Sequence, residues 1–183
     1  MNIRLAHHLQ TDSIVDGEGI RAVVWTQGCS HNCKECHNPA THDFNGGFMT
    51  TTEEIKRELS KLEGQQGITF SGGDPLFQVE ACTDIARYAK ELGLNVWCYT
   101  GFTFEELLKK KKTIEFLNYV DVLVDGKFER SKSSLNFDFR GSSNQRIIDV
   151  PSSLEKKEIV LIPKYTQERV VSVEVPRKKH IYI

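Results

Sequence analysis

The 183-residue chain lacks any apolar run long enough to span a bilayer, and its start, MNIRLAHHLQTD, lacks the apolar core of a secretory signal. Both absences lead us to expect a cytoplasmic protein with no membrane partner. A charge excess is missing too: 24 Lys and Arg against 25 Asp and Glu leave a net −1, so no nucleic-acid partner is expected. The lysine run at 109–112 reads as the solvated C-terminal end of a helix, where cations suit the dipole. The sequence has no internal repeat and no low-complexity segment. It also lacks an even number of cysteines. Five are present, three of them within eight positions, which in a reducing compartment points to metal or redox chemistry rather than a disulfide framework.

What remains is ordinary for a globular domain: 39% hydrophobic and 27% charged residues, and enough length for one core without staples. Strands are expected at 22–27 (AVVWTQ), 67–70, 94–100 and 120–124. Helices are expected at 51–62, 78–92 and 104–117. The first helix opens with a capping box of Thr51 and Glu54. The second carries Val79, Cys82, Ile85, Ala89 and Leu92 on one face and stops at Gly93. Strands separated by helices of this length imply βαβ units and a parallel sheet. A closed eight-unit barrel takes about 250 residues. The expected fold is therefore α/β, a partial (open) βα barrel of mostly parallel strands with about half to three-quarters of the units. One domain covers 1–183, with an extension of unknown role from about 151. Residues 158–163 and 170–175 read as two further strands, and 130–136 (RSKSSLN) as a surface loop.

Four polar features follow expected strands: the cysteine cluster, a Gly-Gly-Asp turn, Tyr99-Thr100-Gly101 and Asp125-Gly126-Lys127. In parallel βα folds the C-terminal strand ends form the functional face. Cys29, Cys33 and Cys36 stand in a C-x3-C-x2-C spacing that lets three thiolates of one loop converge on a cubane iron–sulfur cluster. Cys82 and Cys98 read as small core residues, so one iron stays open for a ligand. Three other readings of these cysteines stand beside this one. Zinc could take the three cysteines with His31, His37 or His42 in a non-catalytic interaction module. Cys33-Lys34-Glu35-Cys36-His37 fits a c-type haem attachment pattern, which normally requires export. A thioredoxin-like pair of Cys33 and Cys36 leaves Cys29 without a role. Spacing alone puts the cluster ahead of zinc.

Gly72 and Gly73 let the backbone approach a ligand closely, and Asp74 offers a carboxylate to a cationic group. Lys127 supplies a point charge suited to a carboxylate or phosphate. Gly17-x-Gly19-x-x-Ala22 matches a loose dinucleotide fingerprint but precedes a strand, and is rejected. His7 and His8 read as surface or satisfied structural histidines.

The C-x3-C-x2-C run after one strand, with Gly-Gly-Asp after the next, resembles the radical S-adenosylmethionine enzymes. Asp16-Gly17-Glu18-Gly19-Ile20-Arg21 before the cluster and Cys36-His37-Asn38-Pro39 closing it are similar to the glycyl-radical-enzyme activases. Ser71-Gly72-Gly73-Asp74-Pro75-Leu76, Val124-Asp125-Gly126-Lys127-Phe128 and Arg140-Gly141-Ser142-Ser143-Asn144-Gln145 resemble the activases of the anaerobic (class III) ribonucleoside-triphosphate reductase. The resemblance covers roughly residues 10–150.

It implies a [4Fe-4S] cluster on Cys29, Cys33 and Cys36 and S-adenosyl-L-methionine chelated at the open iron. Gly72, Gly73 and Asp74 would hold the methionine amino group, Lys127 would meet its carboxylate, and Thr100 and Gly101 would line the ribose side. The implied partners are the reductase, whose glycine loses a hydrogen, and a low-potential electron donor such as flavodoxin or ferredoxin. The related alternative activates another glycyl-radical enzyme, such as pyruvate formate-lyase. Three positions depart from the superfamily pattern: Glu35 where an aromatic often packs on the adenine, Asp74 where many relatives carry Glu, and Glu18 at a frequent proline.

Overall fold

The computed structural model describes residues 1–166. Its strands are β1 (Asn2–Leu5), β2 (Gln10–Ser13), β3 (Arg21–Thr26), β4 (Phe48–Thr51), β5 (Gly67–Gly72), β6 (Asn95–Tyr99), β7 (Val122–Asp125) and β8 (Arg146–Asp149). Its helices are α1 (Thr52–Leu59), α2 (Val79–Glu91), α3 (Phe104–Leu107), α4 (Lys111–Leu117) and α5 (Val150–Lys156). They form a mixed sheet in the order β4-β1-β3-β5-β6-β7-β8, with β2 also paired to β3. The centre, β3-β5-β6-β7, is parallel, and the flanking pairs are antiparallel. The α/β class and the parallel centre are as expected. β8 returns antiparallel to β7 because the connection between them holds a 3-10 turn, Arg130–Lys132, and no crossover helix.

Side chains alternate across the sheet. Val96, Cys98, Leu123 and Ile148 face the helices, where Ile55, Leu59, Cys82, Ile85, Ala89, Phe116 and Leu117 close the main core. Trp97, Val122, Val124 and Ile147 face the other way into a smaller cluster with Tyr165, flanked by Tyr99, Phe139 and Ile162. Ile162 and Tyr165, beyond α5, therefore pack on the face of the sheet opposite the helices. Cys82 and Cys98 are fully buried, and burial pushes both thiols well up.

The expected Thr51–Glu54 capping box opens α1, with Glu54 N donating to Thr51 Oγ1 at 3.2 Å and Thr51 N to Glu54 Oε2 at 3.1 Å. Such a cap contributes about 1 kcal/mol. A second box, Thr103 with Glu106, opens α3.

Three expectations are corrected. The helix over 104–117 is two helices. The lysine run places four like charges where an apolar side chain would be needed to anchor a turn, and Lys110 is extended at φ −125° and ψ 130°. Lys111 and Lys112 therefore begin α4 instead of closing a helix. On α2, Leu92 lies past the last turn and is exposed, while Ala86 joins the buried face. Residues 158–163 make one bridge, Leu161 to Ile148, and then a 3-10 turn at Pro163–Tyr165, since Pro163 has no N–H to extend a ladder. The strand expected at 170–175 lies outside the described residues.

Candidate active site

The cysteine loop starts where β3 ends. Gly28 N donates to Thr41 O at 2.8 Å and Cys29 N to His42 O at 3.1 Å, so residues 28–42 close into a ring at the sheet's C-terminal edge. Within it Cys36 N reaches Cys33 O at 3.2 Å, and Asn32 and Glu35 take left-handed backbone at φ 51° and 56°. Glu35 is turned outward and pairs with Arg130 at 3.1 Å. The three thiols are half-buried, and all three line one cavity of ≈ 680 Å³. Among the described residues no three His, Cys, Asp or Glu side chains gather around one metal-ion position. Burial pushes the Cys29 thiol up to about 11; a backbone hydrogen bond at His31 opposes this, and Asp74, Cys33 and Cys36 add to the rise.

The Gly-Gly-Asp turn enters the same cavity from β5. Gly73 N donates to Thr26 O at 2.7 Å and Asp74 N to Gly28 O at 3.0 Å, which staples the turn to the start of the cysteine loop. A Cβ on Gly73 would lie 2.5 Å from Gly28 O, and Gly72, at φ 103°, would meet Thr26 O at the same distance. The glycines thus permit two backbone segments to cross, which precedes any approach to a ligand.

Asp74 is buried, and its carboxylate accepts from four donors: His31 Nε2 at 2.7 Å, Leu76 N at 2.9 Å, Thr100 Oγ1 at 2.8 Å and Gly101 N at 2.9 Å. A carboxylate offers about four lone-pair sites, so the protein fills them. Thr100 and Gly101, at the end of β6, line the cavity and bind Asp74 at the same time. A Cβ on Gly101 would fall 2.5 Å from the His31 ring. His31 itself lies against Phe102 and Phe77, with centroids 4.5 and 5.7 Å away. No local pattern announces this role for His31; only its position between two cysteines hints at it.

The far wall comes from the Val124–Phe128 and Arg140–Gln145 segments, which are hydrogen-bonded to each other. Gln145 Nε2 donates to Gly126 O at 3.1 Å, Asn144 Nδ2 to Lys127 O at 2.8 Å, and Gly141 N to Gln145 Oε1 at 2.8 Å. The Phe128 ring lies tilted at 47° against that of His37, centroids 4.5 Å apart, and Arg140 lies over Phe137 at 4.6 Å. Lys127 is exposed and does not line the cavity. At the C-terminal end of β7, Asp125 is buried and accepts from Phe104 N at 2.7 Å and Arg146 Nε at 2.9 Å.

A family model described as a 4Fe-4S single cluster domain matches residues 15–148. The chain is 35% identical over 139 residues to the anaerobic ribonucleoside-triphosphate reductase-activating protein of Enterobacteria phage T4, covering 73% of this chain and 86% of that one. The protein of the same name from Haemophilus influenzae is 33% identical over 142 residues, covering 73% and 90%. The pyruvate formate-lyase-activating enzyme of Clostridium pasteurianum is 39% identical over 112 residues, 56% of this chain and 47% of that one.

Proposed function

This chain belongs to the anaerobic ribonucleoside-triphosphate reductase-activating proteins, and on that premise we propose that it reductively cleaves S-adenosyl-L-methionine to set a glycyl radical on the reductase. The observation that carries the reading is one cavity of ≈ 680 Å³ into which the C-x3-C-x2-C loop, the Gly-Gly-Asp turn and Thr100-Gly101 all open. When bound, the [4Fe-4S] cluster and adenosylmethionine supply the electron transfer to the sulfonium and the 5′-deoxyadenosyl radical that takes a hydrogen from glycine.

The donor set fits such a cluster. Cys29, Cys33 and Cys36 would hold it, and no fourth thiol competes, because Cys82 and Cys98 are sealed in the core. Three thiolates would leave one iron without a protein ligand, available to the methionine amino and carboxylate groups. Gly72 and Gly73 would present backbone to the amino group. Asp74 would favour its positive charge while spending its lone pairs on holding the turn. Thr100 and Gly101 stand on the ribose side, and Lys127 would reach the carboxylate by turning in from the exposed surface. The paired rings of His37 and Phe128 offer the adenine an apolar face, a role Glu35 does not fill from its outward position. Phe137 and Phe139 line the same cavity and would shield a reactive radical from water. We read the parallel strands β3, β5, β6 and β7 as half of an eight-unit barrel left open. The reductase is the protein substrate, and a flavodoxin or ferredoxin is the electron donor.

The test is anaerobic reconstitution of the wild type and of Cys29→Ala, Cys33→Ala, Cys36→Ala, Cys82→Ala and Cys98→Ala. Iron content, 5′-deoxyadenosine and the glycyl-radical signal of added reductase are then read. The first three variants should lose cleavage altogether, and the last two should keep it. Cleavage in any of the first three, or radical transfer to pyruvate formate-lyase in place of the reductase, would overturn the assignment.

A further inference from the structure

A second cavity, of ≈ 550 Å³, lies where the start of α2 meets the junction of α3 and α4. Its lining includes the apolar side chains Leu76, Val79, Phe102 and Leu107, and also Lys109, Lys110, Lys111 and Lys112, all four exposed. Two acids share the lining, and both are engaged. Glu80 is paired with Lys112, and Glu106 accepts from Thr103 N at 2.8 Å in the α3 capping box. Among the described residues Lys110 and Lys111 make no ion pair. The cleavage reaction proposed above uses none of these groups.

We propose that this lysine-bordered cavity is the docking face for an acidic, low-potential electron-transfer protein, which delivers through Phe102 and His31 the electron that activation consumes. The inference rests on the activase reading and adds to it where the electron enters. An apolar centre inside a charged rim is the anatomy of a protein interface. Positive charge left unpaired at such a rim speeds encounter with an acidic partner, and electron-transfer complexes are small and weak enough for one such patch to suffice. Position is the second argument. The Phe102 ring belongs to this cavity and sits 4.5 Å from the ring of His31, which lies in the loop between Cys29 and Cys33. One ring-to-ring contact thus joins the lysine patch to the cluster ligands. The main cavity must admit adenosylmethionine and a glycine-bearing segment, so a carrier docked at a separate face does not compete with either. Lysines set around an apolar centre suit a protein surface better than a nucleotide, whose phosphates are more often met by converging backbone N–H groups or bidentate arginines.

In the step itself one electron leaves the carrier and enters the cluster. The carrier ends one electron more oxidised, the cluster one electron more reduced, and no bond forms or breaks.

The experiment compares the wild type with the charge-reversed variant K109E/K110E/K111E, whose altered side chains are all exposed. Four quantities are read on reconstituted protein: binding of flavodoxin by titration at several salt concentrations, binding of a nucleoside triphosphate by titration, cluster reduction by reduced flavodoxin in stopped flow, and cluster reduction with 5′-deoxyadenosine formation under dithionite. The variant should lose flavodoxin binding and its salt dependence, and its flavodoxin-driven reduction should slow by at least about tenfold. Under dithionite it should match the wild type. Flavodoxin-driven reduction at the wild-type rate, or an unchanged salt slope, overturns the proposal. So does a loss of nucleotide triphosphate binding with flavodoxin reduction intact, which would assign the lysines to phosphate. Failure of the wild type to form 5′-deoxyadenosine under dithionite would sink the activase reading instead, so the two failures are distinguishable.

Discussion

Because four protein donors already occupy the lone pairs of Asp74, what this residue does for a ligand depends on who holds it. His31 is the one holder that comes from the cysteine loop, so its bond couples that loop to the Gly-Gly-Asp turn. Removing the ring leaves a buried acceptor short of a donor, a loss of about 1–3 kcal/mol, and opens space beside Phe77 and Phe102. His31→Ala should therefore keep its three cysteines and its iron but bind adenosylmethionine about tenfold more weakly, roughly 1.4 kcal/mol. His31→Gln, which restores an N–H donor, should recover part of the loss. Equilibrium dialysis of the reconstituted proteins measures this, and equal affinity in all three would show that Thr100, Gly101 and Leu76 hold the carboxylate unaided. At this scale the candidate site was readable wherever its chemistry is contiguous. Cys29, Cys33 and Cys36 share one loop, and Gly72, Gly73 and Asp74 share one turn. The His31–Asp74 bond spans 43 positions and has no local signature.

At the scale of elements, strands buried on both faces were legible and the short strands flanking them were not. β3, β5, β6 and β7 are buried on both faces and read as continuous apolar stretches. β1, β2, β4 and β8 have four residues each, too few for an alternation to show, and they exist because a neighbour supplies their hydrogen bonds. β8 also serves β7 electrostatically. Arg146 bonds the buried Asp125 and, with its other nitrogens, Glu105 at 2.7 and 3.0 Å, holding the Glu105 carboxyl down to about 2. Arg146→Met should cost about 3 kcal/mol, because it strands a buried charge rather than losing a surface pair. Thr51→Ala, which removes the cap of α1, should cost about 1 kcal/mol. Urea midpoints at neutral pH decide between them. A cost for Arg146→Met no larger than for Thr51→Ala would mean that Asp125 is satisfied by Phe104 N alone.

Over the whole molecule, Lys164 and Tyr165 return the chain to the loop that precedes β3. Tyr165 packs edge-on against Phe139 and Trp97, its hydroxyl donates to Glu18 at 2.9 Å, and Lys164 Nζ reaches the same carboxylate at 2.6 Å. The Lys164 hydrogen bond, followed by that of Tyr165, lowers the Glu18 pKa below its ordinary 4.5. A carboxylate with a depressed pKa contributes its stabilisation fully above the ordinary value and loses it as the pH falls through the folded value. Glu18 is largely exposed, so the effect is local and small. Amide exchange at residues 161–166 should quicken as the pH drops below about 4.5, beyond the intrinsic pH dependence, and Glu18→Gln should abolish that extra response. The same response in the variant would place the titrating contact elsewhere.

The sequence by itself determined the α/β class of the fold, the three-cysteine loop and the Gly-Gly-Asp turn, since each is written in adjacent residues whose spacing or apolar pattern follows from backbone geometry. Tertiary structure alone decided the rest. It filled Asp74 with donors from three separate segments. It also broke the expected helix at its lysines and laid Tyr165 across the open face of the sheet. These outcomes depend on which surfaces meet. Hydrogen bonds and packing between segments distant in the chain leave no periodicity for a sequence to display.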